Sequence, residues 1–160
     1  MIKALVNGNW EFFNDDELQP GTDSFRFGSG LYETFRTKKY RPIFLKSHLD
    51  RLFSSAKKTN LKIIYSALKI ENMLSKVLTE FHVGDQRARI IVVPNKVIIY
   101  TTPLNLNKKI YEGVSTITVS IQRDNPKIKS TNYKSCLDAY RLAQSKKCFD
   151  AILLDKKGQV

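Results

Sequence analysis

Lys129 is the residue of this chain with the clearest potential for chemistry. It opens the segment KSTNY at residues 129–133, which sets an amine beside hydroxyl and amide groups. A lysine amine forms a Schiff base only while it is uncharged, so it needs a pocket that lowers its pKa and a partner molecule held against it. The elements that could build such a pocket therefore decide whether this lysine is reactive.

The composition alone makes most lysines of the chain solvated surface residues. The chain has 27 Lys and Arg against 15 Asp and Glu, for a formal charge of +12. Such basicity suits nucleic acid, an acidic membrane or an anionic metabolite. The charges are dispersed in isolated pairs at residues 57–58, 108–109, 146–147 and 156–157 rather than in a block. This dispersal argues against a nucleic-acid partner.

The length and the apolar content predict a folded domain with a core of its own. The chain has 160 residues, of which 42% are hydrophobic. Cys136 and Cys148 have no second cysteine pair or His cluster near them, so no metal site is expected and both thiols should be free. The N-terminus does not continue into a signal peptide, and no apolar run approaches ~20 residues. We therefore expect a cytoplasmic protein without a membrane partner.

Three hairpins are predicted. An Asn-Gly turn at residues 7–9 joins strands 2–6 and 11–13, because these residues adopt the positive φ angles of a tight turn. Strands 31–37 and 41–45 are joined through residues 38–40. Strands 87–93 and 96–102 meet at Pro94-Asn95.

Two amphipathic helices are predicted between the second and third hairpins. Ser47 and Asp50 form the pattern of a capping box, followed by an apolar face at Leu45, Leu49, Leu52, Phe53 and Ala56. The second helix covers residues 66–81, with Leu74, Val77, Leu78 and Phe81 as its apolar stripe and Gly84 as its terminator.

The last third of the chain is predicted as strand, linker, helix and strand. Residues 114–121 alternate as a strand, and the polar stretch 122–126 is the candidate linker. Residues 132–147 read as a helix and 151–155 as a buried strand before a turn at 156–158. Because the chain ends just after that turn, we expect strand 151–155 to lack its pairing partner and the sequence to be truncated.

Three segments resemble motifs of the class IV aminotransferases, in the right order and spacing. FRFGSGLYETFR at residues 25–36 is similar to the family's FGDGVFET(I/L)R, with Ser29 in place of the usual Asp. HLDRLFSSA at 48–56 matches HLxRLxxSA. KSTNY at 129–133, followed by DAILLDKKGQV at 150–160, matches the family's lysine segment and the strand after it. Together they cover nearly the whole chain.

The resemblance implies an α/β (α+β) fold of fold type IV. Members have a small N-terminal two-layer domain and a larger C-terminal domain that hold pyridoxal 5'-phosphate (PLP) between them, usually in a homodimer. We accordingly place the small domain at residues 1–120, an interdomain linker at 121–128 and the start of the PLP-binding domain at 129–160. The implied partner is a small amino acid or keto acid.

The resemblance also assigns residues to the cofactor. Lys129 would form the Schiff base with PLP and move the proton at the substrate α-carbon. Arg51 would bind the phosphate, a role that suits a permanently charged guanidinium fork. Tyr133 resembles the tyrosine that adjusts the lysine or the ring oxygen. His48 is assigned a structural role.

Three further residues match positions that contact the substrate in this family. Tyr32 matches an aromatic residue whose phenol can donate to a carboxylate. Arg36 and Arg89 match positions that meet a substrate carboxylate in some members. Strand alternation places these two arginines on the side of Tyr32 or on the neighbouring hairpin.

The motifs predict a PLP-dependent aminotransferase and leave two alternatives. One is aminodeoxychorismate lyase, which uses the same lysine to eliminate pyruvate in p-aminobenzoate synthesis. The other is a catalytically silent basic domain that binds anions or nucleic acid. The family pattern also includes, after Val160, a glutamate for the pyridine nitrogen and loops whose amides cradle the phosphate. The 160 residues alone are therefore expected to bind PLP weakly and to be a poor enzyme or none.

Overall fold

The computed structural model describes residues 1–104, 106, 108–123 and 125–160. Within these ranges the chain forms a six-stranded antiparallel sheet and a two-stranded parallel sheet. The strands are β1 Ile2–Val6, β2 Asn9–Phe13, β3 Leu31–Lys38, β4 Arg41–Pro42, β5 Gln86–Val93, β6 Lys96–Pro103, β7 Thr116–Ser120 and β8 Asp150–Leu154. The α-helices are α1 Asp15–Leu18, α2 Leu45–Lys58, α3 Ala67–Glu80 and α4 Lys134–Ser145, and a 3₁₀ turn covers Lys108–Glu112.

The large sheet has the strand order β2-β1-β6-β5-β3-β4 and is built from the three predicted hairpins. Asn7 and Gly8 turn between β1 and β2 with φ of 50° and 94°, and Asn95 with φ of 61° turns between β5 and β6. Since β4 pairs only with Thr37 and Lys38, the first half of β3 has β5 on one side and an open edge on the other. The site described below occupies that edge.

The two faces of the large sheet bury different apolar sets. One face packs against α2 and α3 and includes Leu31, Phe35, Ile90 and Val92. The opposite face packs against the segment around α1 and includes Tyr32, Ile91, Val93 and Tyr100. Neighbouring residues of β3 therefore enter different environments, as strand alternation requires.

The predicted apolar faces of both long helices are confirmed, but the predicted cap of α2 is wrong. The helix begins at Leu45 and its N-cap is Phe44, with φ of 56° and no side-chain capping bond. This left-handed residue turns the chain directly from the short β4 into the helix, so strand 41–45 ends early and Ser47 lies inside the first turn. Ser66 does cap α3, where its Oγ accepts from the Lys69 amide at 3.3 Å.

Two further details differ from the sequence predictions. Helix α3 ends at Glu80, and its C-cap residue Phe81 is extended, so Gly84 is not its terminator. The Gly84 carbonyl instead accepts from the Tyr40 amide at 2.8 Å and from Thr37 Oγ1 at 2.9 Å. Helix α1 was not predicted, although Asn14 and Glu17 provide a capping signal: Glu17 Oε2 accepts from the Asn14 amide at 2.7 Å.

The last elements form a β-α-β unit. Strand β8 pairs in parallel with β7, from Thr116 opposite Asp150 to Ser120 opposite Leu154, and α4 packs on this pair. The expectation that the final strand lacks a partner is therefore wrong. Asp124 of the predicted linker lies outside the described residues, and the domain boundaries stay a prediction. None of the helices in the described ranges combines the length and the apolar character needed to cross a bilayer.

Candidate active site

The segment that carries Lys129 is bound to the open edge of β3. The Tyr32 amide donates to the Lys129 carbonyl at 3.0 Å, and the Thr131 amide donates to the Gly30 carbonyl at 2.9 Å. Thr131 Oγ1, which is buried, accepts from the Gly30 amide at 2.8 Å and donates to the Gly28 carbonyl at 2.9 Å. These bonds fix the backbone from which the Lys129 side chain extends.

Lys129 has the environment that a reactive amine requires. Its Nζ lies 4.6 Å from the centroid of the Tyr32 ring, and the side chain is partly buried. Burial lowers the pKa of Lys129 from its ordinary value; the Glu33 charge opposes this shift, and the Arg51 and Arg89 charges reinforce it. The amine is therefore uncharged over a wider pH range than a solvated lysine.

A lowered pKa predicts the pH at which Lys129 becomes reactive. Because only the uncharged amine attacks an acylating reagent, we expect half-maximal acetylation of Lys129 at a lower pH in the folded chain than in urea. Peptide mass spectrometry across a pH series, in native buffer and in urea, measures both midpoints. A native midpoint equal to or above the unfolded one would contradict the assignment.

A cavity of about 230 Å³ joins Lys129 to the other residues of this face. Its lining consists of Gln19, Pro20, Tyr32, Thr34, Arg89, Lys129 and Tyr133. The rings of Tyr32 and Tyr133 meet edge to face with centroids 6.0 Å apart. Burial raises the pKa of Tyr133, and burial together with the Tyr133 phenol raises the pKa of Tyr32 to about 12. Both phenols are therefore protonated at neutral pH and can donate hydrogen bonds.

Arg89 is held in this cavity by neutral partners. Its Nε donates to Thr34 Oγ1 at 3.1 Å, and its Nη1 donates to Gln19 Oε1 at 2.9 Å and to Tyr100 Oη at 3.0 Å. Among the described residues no carboxylate pairs with it. A fixed guanidinium without a carboxylate partner suits an incoming carboxylate.

Arg51 is held by a buried carboxylate. Its Nε donates to Glu33 Oε1 at 2.6 Å, and its Nη2 donates to Glu33 Oε2 at 2.5 Å. His48 Nδ1 lies 2.8 Å from the same Oε2. The hydrogen bond with Glu33 raises the pKa of Arg51, so the guanidinium keeps its charge. His48 thus contacts this pair rather than the cavity, in agreement with a structural role.

The structure brings four of the six predicted site residues together and separates two. Tyr32, Arg89, Lys129 and Tyr133 line one cavity. Arg51 lies on α2, within electrostatic reach of Lys129. Arg36 lies further along β3, where it borders a different cavity with Lys38, Asp85 and Tyr111. The substrate role of Arg36 stays a prediction, but it has no support from this placement.

Sequence reasoning missed Glu33, Gln19 and Tyr100. Glu33 alternates with Leu31 and Phe35 on the helix-covered face of β3, and a carboxylate at such a position needs a cationic partner. That signal was available in the sequence. Gln19 and Tyr100 reach Arg89 from residues 70 and 11 positions away, so only the fold reveals them. The described residues contain no group of three or more His, Cys, Asp or Glu side chains that could hold a metal ion.

Comparisons with known proteins point to one family. Residues 30–160 match the sequence profile of amino-transferase class IV. A Methanocaldococcus jannaschii protein provisionally named a branched-chain-amino-acid aminotransferase is 28% identical over 180 aligned positions, which cover 99% of this chain and 62% of the relative. The aminodeoxychorismate lyase of Bacillus subtilis is 33% identical over 85 residues, covering 53% of this chain and 29% of the lyase.

A solved structure supports the fold. A hypothetical aminotransferase from Mycobacterium tuberculosis, with α-ketoglutarate and pyridoxamine phosphate (PMP) bound, has a TM-score of 0.73 at 17% identity, covering 97% of this chain and 62% of that chain. The match confirms the mixed α/β architecture of fold type IV, which other solved aminotransferases share. The chain spans less than two thirds of the length of these proteins.

Proposed function

The chain belongs to the class IV aminotransferase family, and from this premise we propose that it transfers an amino group between an amino acid and a 2-oxo acid with PLP as cofactor. The observation that carries the proposal is the placement of Lys129. A partly buried amine with a lowered pKa shares a cavity with Arg89, whose guanidinium has no carboxylate partner among the described residues. An amine and a carboxylate-binding cation side by side are the groups that an amino-acid substrate requires.

The side chains of this site have the chemistry that PLP binding requires. The uncharged form of Lys129 suits the aldehyde of the cofactor, and the partly exposed guanidinium of Arg51 suits its phosphate. Tyr133 lies beside Tyr32 and offers a phenol near the lysine. The family implies PLP, and the M. tuberculosis relative in fold has PMP bound.

In the proposed reaction each of three site residues has a separate role. When bound, PLP supplies the electron sink for bond cleavage at the substrate α-carbon. Nζ of Lys129 removes and returns the proton at that carbon. The guanidinium of Arg89 binds and orients the substrate carboxylate, and the protonated phenol of Tyr32 donates a hydrogen bond beside it.

Aminodeoxychorismate lyase activity is the second candidate. The match to the B. subtilis lyase supports it, since that match spans about half of this chain. Both reactions begin with the same lysine and need the same carboxylate contact, so the geometry of this cavity serves either one. They differ in products, because the lyase releases pyruvate from its substrate whereas the aminotransferase converts one amino acid to its 2-oxo acid.

A product assay tests the proposal. Because the 160 residues alone are predicted to be at best a poor enzyme, we expect slow turnover. The chain, incubated with PLP, 2-oxoglutarate and a panel of L- and D-amino acids, should form glutamate and the matching 2-oxo acid at a rate above that of Lys129→Ala. Mass spectrometry measures both products, and the Lys129→Ala variant gives the background. Pyruvate release from aminodeoxychorismate without amino-group transfer would favour the lyase. Neither product above background would contradict the proposed function of the chain.

The resemblance also supports a homodimer in the cytoplasm, and both remain parts of this proposal. Light scattering of the purified chain measures its mass in solution and therefore tests the homodimer. A mass of 18.4 kDa across the accessible concentration range would contradict the dimer.

A further inference from the structure

Glu33 is the strongest feature of the site to which the motifs assign no role. Its side chain is only 1% exposed, yet it carries a carboxylate that accepts from Arg51 Nε, Arg51 Nη2 and His48 Nδ1. A carboxylate accepts at both oxygens and does not donate, so His48 contributes the hydrogen of its bond. Burying a carboxylate is costly unless it is paired and hydrogen-bonded, and here three bonds satisfy it.

We propose that Glu33 is the positioning residue for phosphate binding by Arg51: it clamps one edge of the guanidinium and thereby aims the other edge at the cofactor phosphate. The inference rests on the proposed function, because it requires Arg51 to be the phosphate ligand. It assigns Glu33 no contact with the cofactor itself.

The geometry of the guanidinium allows one edge to bind Glu33 and the other to bind a phosphate. An arginine has five N–H groups in a rigid plane, and paired bonds can form along the edge from Nε to Nη2 or along the edge from Nη1 to Nη2. Glu33 occupies the first edge. The second edge keeps both hydrogens of Nη1 and one of Nη2. The Arg51 side chain is 48% exposed, so this edge is accessible to a ligand.

The clamp also lies close to the reactive amine. The Glu33 charge raises the pKa of Lys129 and the Arg51 charge lowers it, so both groups act on that amine. Arg51 and Lys129 come from different segments, and Glu33 of β3 lies next to Tyr32, whose amide binds the lysine segment.

Two effects of Glu33 on phosphate binding have opposite signs. Its negative charge repels a phosphate, whereas its clamp holds a long, flexible side chain in one orientation before the ligand arrives. The repulsion acts across the guanidinium, whose positive charge lies between the two anions. We therefore expect the loss of orientation to outweigh the relief of repulsion when Glu33 is neutralised.

A comparison of PLP with pyridoxal, which lacks the phosphate, isolates this effect. Each compound is reacted with Lys129 and trapped with borohydride, and mass spectrometry measures the labelled fraction. The ratio of PLP to pyridoxal labelling reports the phosphate contribution alone, because a change in Lys129 reactivity affects both compounds equally. We expect Arg51→Ala to lower the ratio by about tenfold or more and Glu33→Gln to lower it by about three- to tenfold.

Asp50→Asn is the matched control. It removes an exposed ion pair with Lys46 from the same helix, next to Arg51, and should leave the ratio unchanged. A Glu33→Gln ratio equal to or above that of the wild type would overturn the inference while the proposed function stands. An unchanged ratio in Arg51→Ala would remove Arg51 from the phosphate site and the inference with it. Absence of any label on Lys129 in the wild type would refute the proposed function as well.

A second measurement uses only the wild-type chain, so it does not depend on whether a variant folds. In the wild-type chain the Arg51 Nε–H should exchange with solvent more slowly than that of the exposed Arg41, because it is bonded to a buried carboxylate. Nitrogen-15 NMR of the arginine side chains measures both rates. Equal exchange at Arg51 and Arg41 would overturn the clamp.

Discussion

Replacing Lys129 with Ala is expected to abolish site-specific labelling of the chain by PLP and borohydride, whereas Lys127→Ala leaves it intact. The two lysines are separated by one residue, but Lys127 is exposed, whereas Lys129 is partly buried over the Tyr32 ring. Burial keeps the Lys129 amine uncharged over a wider pH range, and the cavity supplies the surface against which an aldehyde is held. Peptide mapping by mass spectrometry, together with absorbance in the visible region, measures the loss.

The same variant pair shows whether labelling depends on the site or on the fold. Lys129→Ala removes a desolvated amine that has no ion pair among the described residues, so its free energy of unfolding should stay within about 0.5 kcal/mol of the wild type. Urea denaturation checks this. A label that appears on Lys127 in the wild type, or persists at full level in Lys129→Ala, would show that the reactive lysine lies elsewhere.

The sheet and the long helices could be predicted from sequence because their signals are local. Asn7-Gly8 sets the first hairpin through its φ angles, and the apolar stripes of α2 and α3 repeat at the helical period. The start of α2 could not be predicted in the same way. Phe44 takes a left-handed conformation that its residue type disfavours, and only the junction with the short β4 requires it.

The sequence predicts where strands lie more readily than which strands pair. Strands β7 and β8 were each predicted, but their parallel pairing joins residues more than 30 positions apart. A parallel pair has no short turn to mark it, since its connection contains a helix. The sequence therefore predicts an unpaired final strand, although the partner β7 lies within the chain.

The residues of the candidate site also differ in whether the sequence predicts them. Motif resemblance predicted Lys129, Tyr32, Arg89 and Tyr133, and the fold places all four around one cavity. It did not predict Glu33 as the partner of Arg51, a contact that depends on how α2 packs on β3. Glu33 itself lies within the first motif, but the motif does not show that Arg51 of α2 is its partner, because packing sets that contact.

Gly30 lies very close to β5 and is also hydrogen-bonded to the segment that carries Lys129. A Cβ at Gly30 would lie 2.2 Å from the Val92 carbonyl oxygen and 2.7 Å from Val93 Cγ1. Both neighbours belong to a strand in the interior of the sheet and cannot retreat without disturbing it. The Gly30 backbone is also bonded to Thr131 at its amide and at its carbonyl. Position 30 therefore couples the sheet to the backbone around Lys129.

Gly30→Ala is accordingly expected to destabilise the chain by about 2 to 4 kcal/mol, since overpacking is added to the loss of hydrogen bonds with Thr131. Ser29→Ala, at the exposed neighbouring position, is the matched control and should change the free energy of unfolding by less than about 0.5 kcal/mol. Urea denaturation measures both values. The displaced lysine segment should also expose Lys129, so its acetylation midpoint in the folded variant should rise towards that of the unfolded chain. A Gly30→Ala chain with wild-type stability and a wild-type midpoint would show that β5 yields to the added methyl group, and that the contact does not hold the lysine in place.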